Sequence, residues 1–278
     1  MTLPIFRMID DMQQASQAWQ SAGLRVGLVP TMGALHVGHL SLIEALAPYS
    51  DKIIVSIFVN PTQFVAGEDL GDYPRQEAQD LSVLAPNVVD AVFIPSNDEM
   101  YPQGFATPIT PQGVALGLEA AQRPHFFGGV ATIVAKLLLQ TKANAAVFGE
   151  KDYQQLLVIK QLVRDLNIPT QIIAAPIMRE KDGLAMSSRN VYLNKDERKI
   201  AVQLNIILKA LATSTLSPDE ASALAHTQLL GAGFTAIDYA TLRDAQTLQP
   251  ITQASPSRRA LIAARINNIR LLDNMPCP

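Results

Sequence analysis

The sequence predicts an α/β protein: a doubly wound parallel sheet followed by a smaller α+β domain. Three observations predict it. Apolar, β-branched runs of strand length alternate with helical-period stretches from residue 24 to residue 175, the pattern of strand–helix–strand units with right-handed crossovers. Polar and glycine-bearing residues follow the carboxyl ends of those strands, where ligands of open α/β sheets bind. After Pro176 the order changes to two helices followed by three strands. We therefore expect a Rossmann-like domain over residues 1–178 and a smaller α+β domain over residues 179–278.

The elements follow in order. Residues from about Asp10 to Ala22 alternate at helical spacing and stop at Gly23, a residue suited to a helix C-terminus. Leu24 to Val29 reads as a buried strand, and Leu40 to Leu46 as an amphipathic helix beginning near Val37 and closed by Pro48. Ile53 to Val59 is a strand buried on both faces, ending in Asn60-Pro61-Thr62-Gln63-Phe64. Tyr73-Pro74 is expected to open a helix to about Leu84, with proline in its first turn. Ala91 to Ile94 is a short strand. Residues 95–128, rich in Pro and Gly, read as an irregular excursion near the ligand site. Val130 to Leu139 reads as helix, Ala145 to Phe148 as strand, Tyr153 to Leu166 as helix and Gln171 to Ala175 as the last strand of this half.

In the second part Asn194 and Glu197 form a capping-box pair before a helix to about Leu211. Ser217-Pro218-Asp219-Glu220 starts another, expected to end at Gly231. Phe234 to Leu242, Ala260 to Ile266 and Ile269 to Leu272 read as strands, with a tight turn at Asn267-Asn268.

Composition narrows the function. The 278 residues are 48% apolar and 17% charged, which excludes a disordered chain. A net charge of -3, with no basic run longer than Arg258-Arg259, gives no general attraction for nucleic acid or an anionic membrane. No stretch is long enough to span a bilayer, and the start lacks a basic region followed by an apolar core. The single cysteine, Cys277, points to a reducing cytoplasm. The expected partners are small molecules.

The stretch from Val29 to Leu40 organises the chain. It is a strand, a glycine-bearing loop and a helix start, the geometry in which helix N–H groups and the positive end of the dipole face an anion. His36 and His39, three apart, share one side of the first turn, and Gly38 between them leaves the backbone open. Two capping histidines or a zinc pair are the bland alternatives, and no third ligand has suitable spacing. Gly149-Glu150-Lys151-Asp152 follows another strand, and Lys151 supplies a mobile charge for a phosphate. The competing reading takes Asp152 and Gln155 as a helix cap. Met186-Ser187-Ser188-Arg189-Asn190 offers two hydroxyls and a guanidinium or, read alone, a solvated linker. Gln63 offers an amide at a strand end. Asp80 is a solvated helix charge unless a divalent ion lies beside it, in which case it is a metal ligand. Together these donors suit a triphosphate attacked in line at its α-phosphorus, where electrostatic help is worth roughly 3 kcal/mol per donor.

Six segments in order resemble the pantoate–β-alanine ligase family: PTMGALHVGH (30–39), IFVNPTQF (57–64), YPR (73–75), GEKDYQQL (149–156), DGLAMSSRNVYL (182–193) and RLLDN (270–274). HVGH and MSSRN also resemble the HIGH and KMSKS elements of the wider nucleotidyl-transferase superfamily. The resemblance implies a two-domain homodimer that uses ATP and magnesium to join (R)-pantoate to β-alanine through pantoyl adenylate, the second domain closing over the first. It implies that Met32, Gly33, Ala34, Leu35, His36, Val37, Gly38 and His39 line ATP, with His39 as proton donor and both histidines on phosphate. Gln63 and Gln155 would bind pantoate, Gln63 lying also near β-alanine. Gly149, Glu150, Lys151, Asp152, Met178, Met186, Ser187, Ser188 and Arg189 would complete the nucleotide site, with Lys151 and Arg189 carrying phosphate charge. One departure is visible: where the family reads RPxHFxGV, His125 stands one place early and Phe126 fills the histidine's slot. A nucleotidyltransferase that stops at the nucleotidylated product and a non-catalytic nucleotide- or RNA-binding relative are the rival readings.

Overall fold

The computed structural model describes residues 3–64, 70, 71, 73–85, 87–251, 255 and 257–278. In chain order its elements are β1 (Ile5–Phe6), α1 (Ile9–Ser21), β2 (Val26–Thr31), α2 (Val37–Leu46), β3 (Lys52–Ile57), α3 (Glu77–Leu84), β4 (Ala91–Phe93), α4 (Asn97–Met100), α5 (Glu119–Gln122), α6 (Phe126–Thr141), β5 (Ala145–Gly149), α7 (Tyr153–Asp165), β6 (Gln171–Ala175), α8 (Lys195–Ala212), α9 (Pro218–Ala232), β7 (Ala236–Asp244), β8 (Arg258–Ile266) and β9 (Ile269–Pro276).

Two compact units result. The first comprises residues 1–115, 123–150 and 155–175, the second residues 116–122, 151–154 and 176–278. The sheet of the first unit is parallel throughout, in the order β1-β4-β3-β2-β5-β6. From β2 the chain winds outward through β3 and β4, then returns to add β5 and β6 on the other side, so the switch point lies between β2 and β5. Val29, Val55 and Val92 are aligned across β2, β3 and β4 and pack with Ile43 and Leu46 of α2 and Leu84 of α3. Their neighbours Leu28 and Ile54 point to the opposite face by strand alternation and are fully buried. Both faces are covered, which is why these strands are apolar without interruption.

β2 departs from the expected strand in an informative way. It runs to Thr31, through Pro30, yet pairs with β5 only at Gly27 and Leu28, while all six of its residues pair with β3. Proline has no amide to give a ladder. The ladder between the two strands ends at Leu28, two residues before it.

The second unit is an antiparallel sheet in the order β7-β8-β9, packed against α8 and α9. Its core gathers Leu204, Leu208, Leu229, Ile262 and Ile266, all at most 1% exposed. Asn194 accepts from the amides of Asp196 and Glu197, and Glu197 accepts in return from the amide of Asn194, which is the capping box the sequence predicts.

Helix boundaries also differ from expectation. α3 begins at Glu77 rather than Tyr73, because Tyr73 is buried edge-on against Phe64 and residues 74–76 stay outside the helix. α6 starts at Phe126 and carries Gly128 and Gly129 inside it. α9 passes Gly231 and is capped by Gly233 at φ 105°. The division of the chain also differs: it falls at Ala175/Pro176, and two short segments upstream cluster with the C-terminal unit.

Candidate active site

The loop after β2 is held from below. Gly33 and Ala34 both adopt left-handed conformations, at φ 84° and 52°. The amides of Ala34 and Leu35 donate to the two carboxylate oxygens of Asp80 on α3, at 3.1 and 2.7 Å. The Gly33 amide donates to Thr31 Oγ1, which itself donates to the carbonyl of Ser56 on β3. A side chain at Gly33 would bring a Cβ within 2.9 Å of Asp80 Oδ2. Asp80 is therefore a buried, amide-bonded carboxylate at 1% exposure, which corrects the expectation of a solvated charge. Both of its oxygens are used by the backbone, and among the described residues no group of three or more His, Cys, Asp or Glu side chains could hold a metal ion.

His36 is the N-cap of α2 in extended conformation. Its Nδ1 accepts from the amide of Gly38 at 3.1 Å, and its own amide donates to Nδ1 of His39 at 3.3 Å. The ring centroids are 4.2 Å apart. A nitrogen that accepts from an amide carries a lone pair, so in each neutral imidazole the proton sits on Nε2. The pair is thereby fixed as two Nε2–H donors. The amides of residues 33–36 and 38–40 are all engaged within the protein.

Beside β2, β3 ends in a second polar turn. Asn60, 1% exposed, accepts from Tyr101 Oη at 2.8 Å and Thr62 Oγ1 at 2.9 Å, and donates to Gln63 Oε1 and the carbonyl of Gly129. Burial pushes the Tyr101 hydroxyl above its ordinary pKa, with the Thr62 hydrogen bond opposing. Gln63 is thus oriented by Asn60, and its Nε2 contacts Met32 Sδ, which brings Gln63 to the β2 loop. A Cβ on Gly129 would lie 2.3 Å from the Thr62 carbonyl oxygen, so α6 packs on this turn only with glycine there. Arg123 donates to the Gln63 carbonyl and stacks 3.8 Å over Phe126. Phe126 is buried and His125 exposed, so the shifted histidine stays out of this cluster. A cavity of about 310 Å³ opens at the ends of β3 and β4, lined by Met32, Gly33, Phe58, Arg75 and Asp80 among others. Gly149 ends β5, next to β2 across the switch point, and Glu150 follows in a 3₁₀ turn. Gln155 is half-buried in the first turn of α7.

The remaining predicted residues, Lys151, Asp152, Met178 and residues 186–189, belong to the second unit. Met178 and Met186 are joined by a backbone bond next to the Arg179–Ala185 bridge, with Gly183 at the bend. Ser187 caps the 3₁₀ turn Ser188–Tyr192 by accepting from the amide of Arg189. Asn190 ties that turn to Glu180 and the carbonyl of Ala185. The Arg198 guanidinium holds the Glu180 carboxyl below its usual range.

Sequence reading assigned no task to the polar residues of RLLDN, and the structure gives each one. Arg270 forms two 2.7 Å bonds with Glu119 of α5, Asp273 a two-pronged pair with Arg179, and Asn274 donates to the carbonyl of Lys151 at 2.9 Å. Sequence reading missed Asn60 and Asp80 as organisers of the loops after β3 and β2, and Asn274 as the partner of Lys151. The only sequence signal was, for Asn60 and Asn274, a polar residue at the end of an apolar run; for Asp80 there was none.

The fold and this geometry define a class: a doubly wound α/β protein with a pair of imidazoles at the carboxyl end of β2, beside the switch point of its sheet. A family model for pantoate–beta-alanine ligase matches residues 4–276, and the chain belongs to that family. The pantothenate synthetase of Mesorhizobium japonicum is 52% identical over 94% of this chain and 93% of its own. The crystal structure of pantoate–β-alanine ligase (pantothenate synthetase) from Thermus thermophilus superposes with a TM-score of 0.89 at 41% identity, over 98% of this chain and 99% of that one. The Francisella tularensis ligase complexed with β-γ ATP and β-alanine gives 0.84 at 37% identity, over 99% and 97%.

Proposed function

We propose that the protein joins (R)-pantoate to β-alanine at the expense of ATP, forming pantothenate. The observation that carries the reading is the imidazole pair at the end of β2, fixed as Nε2–H donors at the switch point of a family member's sheet. A carboxylate oxygen of pantoate attacks the α-phosphorus, and the bond to pyrophosphate breaks. The amine of β-alanine then attacks the acyl carbon of the mixed anhydride, AMP leaves with the bonding electrons, and the nitrogen loses a proton. His36 and His39 donate to phosphate oxygens as charge builds there, and His39 Nε2–H can follow the departing oxygen. Gln63, oriented by Asn60, binds pantoate and adjoins β-alanine. Gln155 is a second pantoate ligand. Residues 32–39 with Gly149 and Glu150 line the nucleotide. Asp152, Met178, Met186, Ser187 and Ser188 are further nucleotide ligands, and Lys151 and Arg189 carry phosphate charge.

Magnesium enters with the triphosphate as part of the substrate. This ion keeps most of its waters and binds through phosphate oxygens more readily than through a protein cage. The residues present fit that, since Asp80 is bound to amides. A homodimer in the cytoplasm is the assembly and compartment this reading carries.

The test is a product assay with ATP, (R)-pantoate and β-alanine. Pantothenate, AMP and pyrophosphate are expected in equal amounts, and pantothenate only when both organic substrates are present. Accumulation of a stable nucleotide-linked product as the end point would overturn the reading in favour of a nucleotidyltransferase. Calorimetric binding of ATP with no turnover would overturn it in favour of a sensor.

A further inference from the structure

We propose that Asp80 is a positioning residue, whose buried carboxylate sets the left-handed turn at Gly33 and Ala34 and, through it, the orientation of His36 and His39. The inference rests on the reading of those imidazoles as phosphate donors. Successive backbone amides in a turn can form a concavity that binds an anion. Here that concavity is filled by the protein's own side chain: Oδ2 accepts from Ala34 and Oδ1 from Leu35.

The consequence passes along the chain one residue at a time. Leu35 is followed by His36, whose amide donates to His39 Nδ1, while its ring accepts from Gly38. The direction of both Nε2–H bonds thus depends on where the Ala34–Leu35 peptide is held. Ala34 at φ 52° adopts a conformation that an L-residue with a Cβ resists. Something must hold it, and Asp80 is what contacts it. Gly33 completes the fit, because its missing Cβ leaves room for Oδ2. A buried aspartate beside a nucleotide site is otherwise read as a metal ligand, but both oxygens are directed at amides.

The experiment uses the full chain with Asp80→Asn, Ala34→Gly and the double variant. Asparagine retains one acceptor and turns an N–H₂ donor toward a backbone N–H. Asp80→Asn is expected to lower kcat for pyrophosphate release at least tenfold, with the magnesium concentration for half-maximal rate unchanged. Glycine adopts the left-handed turn without help, so Ala34→Gly added to Asp80→Asn is expected to restore at least threefold of that loss, which a merely stabilising role would not produce. In ¹⁵N spectra of the free enzyme, the Nδ1-acceptor signature of His36 and His39 is expected to disappear in Asp80→Asn and return in the double variant. Should Asp80→Asn fail to fold, the double variant carries the same comparison against Ala34→Gly. An unchanged histidine signature with full activity overturns the proposal, as does a raised magnesium requirement without rescue. Because the spectra need no substrate, they separate failure of this inference from failure of the assigned reaction.

Discussion

His36 has two tasks that one side chain performs with different atoms. Nδ1 caps α2 by accepting from Gly38, and Nε2–H is the donor we assign to phosphate. Asparagine places Oδ1 about where Nδ1 lies and has nothing at the Nε2 position. His36→Asn is therefore expected to keep the melting temperature and lower the rate of pyrophosphate release by more than tenfold. His36→Ala is expected to lose the rate and, in addition, about 1 kcal/mol of stability from the missing cap. Thermal melting beside single-turnover kinetics checks this, and equal melting losses in both variants would refute the division of labour. At this scale the sequence is legible where a bond is local. The caps at Asn194 and Ser217 are written within four residues. Asp80 is not, since its partners lie 45 and 46 positions away and nothing in its neighbourhood distinguishes it from a solvated acid.

Elements were legible in type and less so in extent. The strands of the first unit are apolar on both faces, and helix α7 was placed within a residue. Glycine misled. Helix α6 reads from Val130 in the sequence, yet it begins at Phe126 and runs through Gly128 and Gly129, the latter leaving room for the turn at Thr62 and Gln63. That contact makes Gly129→Ala a test of whether the element positions the site. Its Cβ would meet the Thr62 carbonyl at 2.3 Å and the Gln63 amide at 2.7 Å, both backbone atoms that can yield only by moving the turn. The expected outcome is a KM for pantoate raised at least tenfold, with a smaller change in the KM for ATP. Overpacking of this kind costs about 1–3 kcal/mol, so lowered melting is expected with it. Lowered melting with both KM values unchanged would show that the turn does not bind pantoate.

Across the whole molecule, the chain does not divide where its composition changes. Residues 116–122 and 151–154 lie within the first stretch of sequence and cluster with the second unit. Periodicity reports the face of an element and carries no information about pairing over a hundred residues, so this interleaving was invisible beforehand. Its cause is chemical. Tyr239 and Arg270 meet Glu119 in a buried network, where burial pushes the Tyr239 hydroxyl well above its ordinary value with the Glu119 charge adding to the effect. Tyr153 donates to the Ala245 carbonyl, and the Arg259 guanidinium stacks 3.8 Å over its ring.

Asn274, 2% exposed, closes the set by donating to the Lys151 carbonyl while accepting from Arg259 Nε at 2.8 Å. Aspartate there would keep the arginine bond and set an oxygen against the Lys151 carbonyl, turning an attraction into a repulsion and leaving that carbonyl without its donor. Such a loss costs about 1–3 kcal/mol, concentrated on the segment that carries the lysine we assign to phosphate. Asn274→Asp is accordingly expected to raise the rate of limited tryptic cleavage after Lys151 about tenfold. The KM for ATP should rise more than that for β-alanine. Asn274→Ala, which removes the donor without adding an opposing oxygen, should fall between Asn274→Asp and the parent protein. Unaltered cleavage at Lys151 in Asn274→Asp, with unaltered ATP kinetics, would mean that residues 151–154 are held without the Asn274 bond, by contacts such as those of Tyr153 and Gln154.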